Sequence, residues 1–364
     1  MKKEKCTRYH NIDNMKALLI FAVIIGHFCE ITTFHGSSVL YMLIYVFHMP
    51  AFAFCSGMFA NFNKRKILEN FVYPYLIFQT LYVLFNHYLL HNTQALQYTT
   101  PYWLMWYMLA MILWECALPL FQESTRVKKM LIIAAAFAVS LFVGNDQNIS
   151  YLLSLSRVLV LFPFFILGYY FRHSGFFHAL GDHAYRASRH FIRLRTVLGL
   201  LVVMILFGLL KARTIVNPKW LYDSYSYDDL NYNIWIRGIF MVCALIITAF
   251  LLLSVPNIHI PVITRIGEHT LPIFLMHGFC IKLIDYYHLF DHIVFKQVGV
   301  LLLTIAITCL FSSQIVNKLL DPLLKFSGQK FLRLVQNSIF ALQHVLNSFL
   351  ALLNGKSSLS YHHS

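Results

Sequence analysis

Long apolar segments alternate with short polar loops along most of the chain. Ten of these segments are roughly 20 residues long, the length at which a helix crosses the hydrocarbon core of a bilayer. They cover residues 14–33, 38–60, 67–90, 101–121, 128–145, 151–171, 196–211, 233–254, 268–287 and 296–317. The pattern predicts an all-α, polytopic membrane protein with about ten transmembrane helices.

Residues 328–353 have a different pattern. Their apolar positions recur at helical spacing, but Gln, Asn, His or Ser occurs in every turn. Such a segment is typical of an amphipathic helix lying on the membrane surface rather than of an eleventh span. We therefore predict a membrane domain over residues 1–320 and a cytoplasmic tail over residues 321–364, with a disordered end.

Composition supports the membrane assignment. Of the 364 residues, 59% are hydrophobic and 12% are charged, whereas a soluble domain carries about 25% charged residues. The net charge of +14 does not indicate a nucleic-acid partner, because the basic residues lie in short loops between apolar segments. The seven cysteines form no CxxC pair and are interpreted as packing residues. The predicted partner is the lipid bilayer, and the oligomeric state is left open.

Alternate loops differ in charge. One set is basic and includes Lys64-Arg65-Lys66 and five arginines between positions 172 and 195. The other set has few Lys or Arg residues and includes Asp223, Asp228 and Asp229. By the positive-inside rule the basic set is cytoplasmic, which also places both termini in the cytoplasm.

Three histidines fall inside predicted spans at similar depth. At 1.5 Å per residue, His27 lies about 6 Å beyond the centre of the first segment, and His48 and His277 lie near the centres of the second and ninth. An ionisable ring at this depth usually faces a bundle interior or a wet cavity, which makes it a functional candidate. The alternatives are three core histidines bonded to neighbouring helices, or a three-histidine metal site. No i,i+4 or carboxylate pattern accompanies them, so no metal is predicted.

Several cations lie at the ends of spans or inside them. Lys16 begins the first segment, about three turns before His27 and on roughly the same face. Arg157 lies inside the sixth segment, where an arginine needs a polar cavity, an anion or a carboxylate. Lys64, Arg65 and Lys66 have the chemistry to bind phosphates, although they can also act as topology anchors.

The acidic loop at 220–233 carries one Trp and four Tyr among three Asp residues. Tyrosines beside carboxylates suit sugar recognition by ring stacking and hydroxyl hydrogen bonds. An interfacial aromatic belt would give a similar composition. The sequence leaves both interpretations open.

A set of stretches in a fixed order resembles the acyltransferase-3 family of integral membrane O-acyltransferases, in particular bacterial capsule and polysaccharide O-acetyltransferases of the fucose 4-O-acetylase-like group. The stretches are RYHNIDNMKALLIFAVIIGHF, FHMPAFAFCSGMF, KRKILENFVYPYLIF, YWLMWYMLAMILWE, SRVLVLFPFFILGYYFR and RIGEHTLPIFLMHGF. They extend from residue 8 to about residue 320. The family's basic residue and histidine, eleven positions apart, match Lys16 and His27.

The resemblance implies a ten-helix bundle in a bacterial cell membrane that transfers an acyl group, usually acetyl from cytoplasmic acetyl-CoA, to a sugar hydroxyl of a glycan or its lipid-linked precursor. It implies that His27 is the essential histidine and Lys16 its basic partner. Many members carry Arg-x-Arg or a second arginine shortly before the proline of the third helix, whereas this chain has Lys64-Arg65-Lys66 followed by Glu69 and Asn70. The departure leaves open which cation contacts the CoA phosphates.

We therefore expect an acyltransferase with His27 as general base, or as the carrier of an acetyl-histidine intermediate. His48 and His277 would orient His27 or bind the thioester carbonyl. Lys16, Lys64, Arg65, Lys66 and Arg157 are the candidate contacts for acetyl-CoA or for the developing charge. The rival classes are a transporter or flippase for a glycan or lipid-linked sugar, and a structural membrane protein.

Overall fold

The structure is a computed structural model that describes residues 9–92, 95–122, 125–147, 149 and 152–325. Within these ranges it is helical and contains no strand. The α-helices are α1 (His10–Ile31), α2 (Ser37–Phe59), α3 (Lys64–Ile67), α4 (Tyr73–Tyr88), α5 (Trp106–Ala117), α6 (Arg126–Phe142), α7 (Leu155–Arg172), α8 (Gly175–Ala179), α9 (His183–Arg186), α10 (Arg189–Ala212), α11 (Tyr227–Leu230), α12 (Ile234–Ser254), α13 (Pro261–Glu268), α14 (Thr270–Tyr286), α15 (Lys296–Ser312) and α16 (Gln314–Leu324).

Short segments of other helical types extend several of these helices. A π-helical turn, Leu68–Val72, joins α3 to α4. The 3-10 segments are Trp103–Met105, Leu118–Leu120, Val143–Asn145, Leu152–Ser154, Pro218–Tyr222 and Leu289–His292.

Seven helices in the described ranges are long and apolar enough to cross a membrane. They are His10–Ile31, Ser37–Phe59, Trp103–Leu120, Arg126–Asn145, Leu155–Arg172, Arg189–Ala212 and Ile234–Ser254. The pair α15 and α16 would make an eighth, but it bends by 68° at Ser313. The all-α membrane fold is thus confirmed. The count of ten is not, because α4 and α14 have only 16 and 17 residues.

Two helices differ from the segments predicted for them. α10 begins at Arg189 rather than at residue 196, because the Ser188 side chain caps it and the arginines of its first turns are tolerated where the helix leaves the hydrocarbon. α14 contains Pro272, but only as its third residue. A proline costs little there, since the first N–H groups of a helix have no partner within it.

The pair α2 and α7 forms the most closely packed part of the bundle. A Cβ on Gly57 would overlap the Phe165 carbonyl, and a Cβ on Gly168 would overlap the Phe54 carbonyl. Two glycines therefore let the two backbones touch. By contrast α10 is peripheral, and it exposes apolar side chains such as Leu200 and Phe207, which suits contact with lipid.

The two ends of the bundle differ in charge. The basic side holds the start of α1 with Lys16, the α3 cations and the start of α6 with Arg126. The acidic side holds the end of α1 with Glu30 and the loop that contains Asp223. The predicted amphipathic helix at 328–353 lies outside the described residues, and the predicted domain boundary at 320 falls inside α16.

Candidate active site

His27 and Glu30 lie on the last two turns of α1, on the acidic side. They are three residues apart, a spacing that puts their side chains on one face of a helix. His27 Nδ1 lies 3.2 Å from Glu30 Oε2. As a carboxylate, Glu30 can only accept hydrogen bonds. His27 Nδ1 therefore carries the hydrogen, and in the neutral ring Nε2 is left as the basic nitrogen.

Three tyrosine hydroxyls surround the same carboxylate. The Tyr45 hydroxyl donates to Glu30 Oε1, and those of Tyr41 and Tyr222 lie 3.4 Å and 3.5 Å from this oxygen. Tyr41 and Tyr45 come from α2, and Tyr222 ends the 3-10 segment of the acidic loop. Elements far apart in the chain thus hold Glu30 in place beside His27.

The other two histidines adjoin His27. The His277 ring stacks on that of His27 with centroids 5.5 Å apart, and the His48 ring packs against Tyr45 at 4.7 Å. His48 Nδ1 lies 2.9 Å from the Ile44 carbonyl and His277 Nδ1 lies 3.1 Å from the Ile273 carbonyl. A carbonyl only accepts, so both rings carry hydrogen on Nδ1 and present an unprotonated Nε2.

This tautomer bears on the expectation that His48 and His277 bind the thioester carbonyl. A neutral ring with a bare Nε2 can accept a hydrogen bond but cannot donate one to a thioester carbonyl. His277 Nε2 is buried and has no hydrogen-bond partner among the described residues. Both Nε2 atoms can therefore accept a hydrogen bond, and of the two residues only His48 lines the cavity described next.

A cavity with about 890 Å³ of empty space lies around His27. Its polar lining includes His27, Glu30, His48, Arg157 and Asp223. Its aromatic lining comprises Tyr45, Trp103, Trp106, Tyr222 and Phe274. We call it the acidic-side cavity. It combines a base, a carboxylate and several ring faces.

The acidic loop closes over this cavity and is held by two arginines. Arg157 Nε donates to the Tyr222 carbonyl at 2.8 Å, and its guanidinium lies 5.0 Å from the centroid of the Trp106 ring. Arg237, which is 2% exposed, reaches the Tyr232 hydroxyl at 2.5 Å and the Tyr225 carbonyl at 3.3 Å. Burial raises the pKa of the Asp223 carboxyl to about 6, and the charges of Arg237 and Arg157 act in the opposite direction.

A second cavity, with about 950 Å³ of empty space, lies toward the basic side. Methionine and phenylalanine make up half of its lining, and its polar members are Lys16, Ser56, Tyr107, Glu115 and Thr270. Lys16 Nζ pairs with Asp13 at 2.8 Å and lies 5.6 Å from the centroid of the Phe59 ring. We call it the basic-side cavity. It is an apolar pocket with a lysine in its wall.

The predicted site residues fall into three places. His27, His48 and Arg157 line the acidic-side cavity, and His277 stacks on His27. Lys16 lines the basic-side cavity. Lys64, Arg65 and Lys66 form the exposed helix α3 on the same side and do not line it, and Arg65 pairs with Glu69 at 2.7 Å. Arg157, predicted as a donor contact, therefore lies at the far cavity from Lys16.

Several residues at the site were not predicted. Glu30 had a usable signal, because it follows His27 by three residues on the same helix face. Arg237 also had a usable signal, because it is a charged residue four positions after the start of the predicted span 233–254. No periodic signal marks Tyr41, Tyr45, Met49 or Phe274, because hydropathy does not tell which neighbour a helix face meets.

Helices long and apolar enough to cross a membrane, packed around one cavity lined by His27 and His48 and one largely apolar cavity, define a multi-pass membrane protein. A family model described as an acyltransferase domain, Acyl_transf_3, matches residues 9–313. Because the match covers most of the chain, the protein belongs to this acyltransferase family. No curated protein and no solved structure matches the chain.

Proposed function

We propose that the protein is an O-acetyltransferase of the bacterial cell membrane. It takes acetyl from cytoplasmic acetyl-CoA and transfers it to a sugar hydroxyl of a capsular polysaccharide, an exopolysaccharide or its lipid-linked precursor. The observation that carries the proposal is the arrangement of two cavities, one toward each side, with the histidines in one and Lys16 in the other. In this proposal the basic side and both termini are cytoplasmic, as the positive-inside rule favours.

The basic-side cavity suits the acyl donor. Its methionine and phenylalanine walls would take the pantetheine arm, and Lys16 would contact a phosphate or a carbonyl near its mouth. Lys64, Arg65 and Lys66, exposed on the same side, would contact the remaining phosphates outside the cavity. Acetyl-CoA is a co-substrate in this scheme, and no metal takes part.

The acidic-side cavity suits the glycan. Trp103, Trp106 and Tyr222 line it, and Tyr222 belongs to the acidic loop for which a sugar contact was one of two open interpretations. Arg157, which lies in this cavity, would stabilise negative charge on the carbonyl oxygen as it develops. Of the two roles expected for Arg157, we thus propose stabilisation of the developing charge rather than a contact with acetyl-CoA.

The chemistry follows from the His27–Glu30 pair. The sugar hydroxyl attacks the thioester carbonyl while His27 Nε2 takes its proton. Glu30 accepts from Nδ1–H and stabilises the imidazolium that forms, as a carboxylate does for a catalytic histidine elsewhere. A carbon–oxygen bond forms, the carbon–sulfur bond breaks, and the proton passes to the departing CoA sulfur. A relay through acetyl on His27 Nε2 is the competing path.

The direct test is transfer by the purified protein. It would be given acetyl-labelled acetyl-CoA and envelope glycan from a deletion strain, and His27→Ala would be compared with the wild type. We expect a loss of at least about a hundredfold. His35→Ala, at an exposed histidine between α1 and α2, is the matched control. Undiminished transfer by His27→Ala would refute the assignment, and ping-pong kinetics would favour the relay.

A transporter or flippase is the second candidate, because two cavities on opposite sides also suit alternating access. Its signature is movement of the glycan across the membrane without consumption of thioester. Detection of such movement in vesicles, with acetyl-CoA unchanged, would favour it over the transferase.

A further inference from the structure

The two cavities meet at two side chains. Met49 and Phe274 line both the basic-side and the acidic-side cavity, and no other described residue lines both. We call these two side chains the septum. The septum is thus the wall that the two cavities share, and a group that crosses this wall from the Lys16 side to the His27 side passes these two side chains.

The septum lies directly beside the histidines. Met49 follows His48 on α2. Phe274 lies one turn before His277 on α14, with its ring centroid 5.9 Å from that of His277. On its other side the Phe274 ring packs against Tyr107 at 5.8 Å, and the Tyr107 hydroxyl bonds Ser56 in the basic-side cavity at 2.8 Å. A thioester that reaches the septum from the basic side is therefore next to His48 and His277.

We propose that the septum selects the acyl group by length and keeps water of the acidic-side cavity away from the thioester. The inference rests on the proposed function. An acetyl group carries no carbon beyond its methyl, so it demands the least space at these two side chains. Each further methylene has to displace the thioether or the ring, or occupy space that the glycan needs. Apolar pockets discriminate by size in this way, by about ten- to two-hundredfold per methylene.

Exclusion of water has a chemical reason. Water that reaches the thioester would form a carbon–oxygen bond at the carbonyl carbon and break the carbon–sulfur bond. The products are acetic acid, whose proton is released as it ionises, and the free thiol of CoA. The His27–Glu30 pair would assist water as readily as it assists a sugar hydroxyl. The acidic-side cavity has polar groups that can hold water, so a barrier is needed whenever the glycan is absent.

The test uses acetyl-CoA and butyryl-CoA with the full-length protein in detergent or nanodiscs. Thiol release without glycan reports hydrolysis, and labelled product with envelope glycan reports transfer. For Met49→Ala and Phe274→Ala we expect the ratio of kcat/KM for butyryl-CoA to that for acetyl-CoA to rise at least about tenfold. Glycan-independent thiol release should rise in the same variants.

The controls are Met58→Ala on α2 and Phe279→Ala on α14. These side chains lie on the same helices but line neither cavity. The ratio of kcat/KM for the two donors and the rate of glycan-independent thiol release should therefore stay at their wild-type values, even if stability falls. Met49→Val, a smaller change, serves if Met49→Ala does not fold. An unchanged donor ratio in active Met49→Val and Phe274→Ala would overturn the inference. A wild type that uses no acyl-CoA would instead refute the proposed function.

Discussion

The two cavities have similar size but opposite chemistry. The acidic-side cavity is surrounded by groups that bond one another: His27 to Glu30, Glu30 to three tyrosines, and Arg157 to the loop above. Half of the residues that line the basic-side cavity are methionine or phenylalanine, and Lys16 in its wall pairs with Asp13. Fixed hydrogen bonds suit a place where atoms must be aligned for reaction, whereas flexible apolar side chains suit a place that holds a long substrate arm. The difference teaches that most of the hydrogen bonds that can align reacting groups lie on the acidic side, whereas the basic side offers mainly apolar surface.

The largest effect should come from Glu30→Gln. A glutamine amide can donate to His27 Nδ1, which would move the ring hydrogen to Nε2 and remove the base. We expect kcat to fall by about a hundredfold with little change in the KM for acetyl-CoA, measured by labelled transfer across pH. Asp228→Asn, at an exposed carboxylate on the same side, should leave kcat unchanged. Equal losses in both variants would contradict a positioning role for Glu30.

Lys16→Met should act on the other cavity alone. Loss of a charge-assisted contact to the donor, together with an Asp13 carboxylate left without this lysine, should raise the KM for acetyl-CoA by about tenfold. The KM for glycan should stay near its wild-type value. Steady-state kinetics with each substrate varied in turn would show the split, and Lys128→Met, at an exposed lysine on the basic side, is the control. A rise in both KM values would remove the distinction between the cavities.

Tyr222→Ala should give the converse result. The ring lines the acidic-side cavity and its hydroxyl approaches Glu30. Its removal should raise the KM for glycan by about fivefold, equivalent to roughly 1 kcal/mol of lost contact, without affecting the KM for acetyl-CoA. Tyr287→Ala, at an exposed tyrosine after α14, should change neither. An effect of Tyr222→Ala on acetyl-CoA alone would place the donor in the wrong cavity.

The smallest effect concerns the loop over the acidic-side cavity. Between about pH 4 and pH 6, folded Asp223 keeps a proton that the unfolded chain has released, because burial raises its pKa to about 6. The folded state binds more protons there, so stability falls as pH rises through this window. Asp223→Asn should remove this part of the slope in a thermal-midpoint series from pH 4 to pH 7. An identical slope in the variant would show that the carboxyl does not contribute.

The hydropathy pattern predicted where helices occur better than it predicted where they begin and end. Each of the ten predicted segments contains a helix, since apolar runs bounded by polar loops report burial in a membrane directly. The pattern did not reveal that α15 ends at Ser312 and that the chain then bends by 68°. Residues 314–317 include two apolar side chains, so the predicted segment ran on past the bend. It also placed the start of α10 too late, because it counted arginines as loop residues.

The sequence predicted how deep the histidines lie in the membrane, but not which neighbour each helix face meets. Depth follows from position along a helix, and it placed His27, His48 and His277 at similar depth; in the structure the His277 ring stacks on that of His27, and the His48 ring packs against Tyr45. Their proposed roles stay predictions. The tyrosines around Glu30 depend on how α1, α2 and the acidic loop face one another, and Tyr222 reaches Glu30 across 192 positions of sequence. A single sequence carries little information on such long-range contacts.

The glycine contacts between α2 and α7 also determine which helices can move. A slide of one helix along the other would drive a side chain into the Phe54 or Phe165 carbonyl. We therefore expect the two helices to move together, and Met49 moves with them. Phe274 lies outside that pair, on α14, just after the break at His269. A cycle that opens and closes the passage would thus be driven by displacement of α14 against a stationary partner.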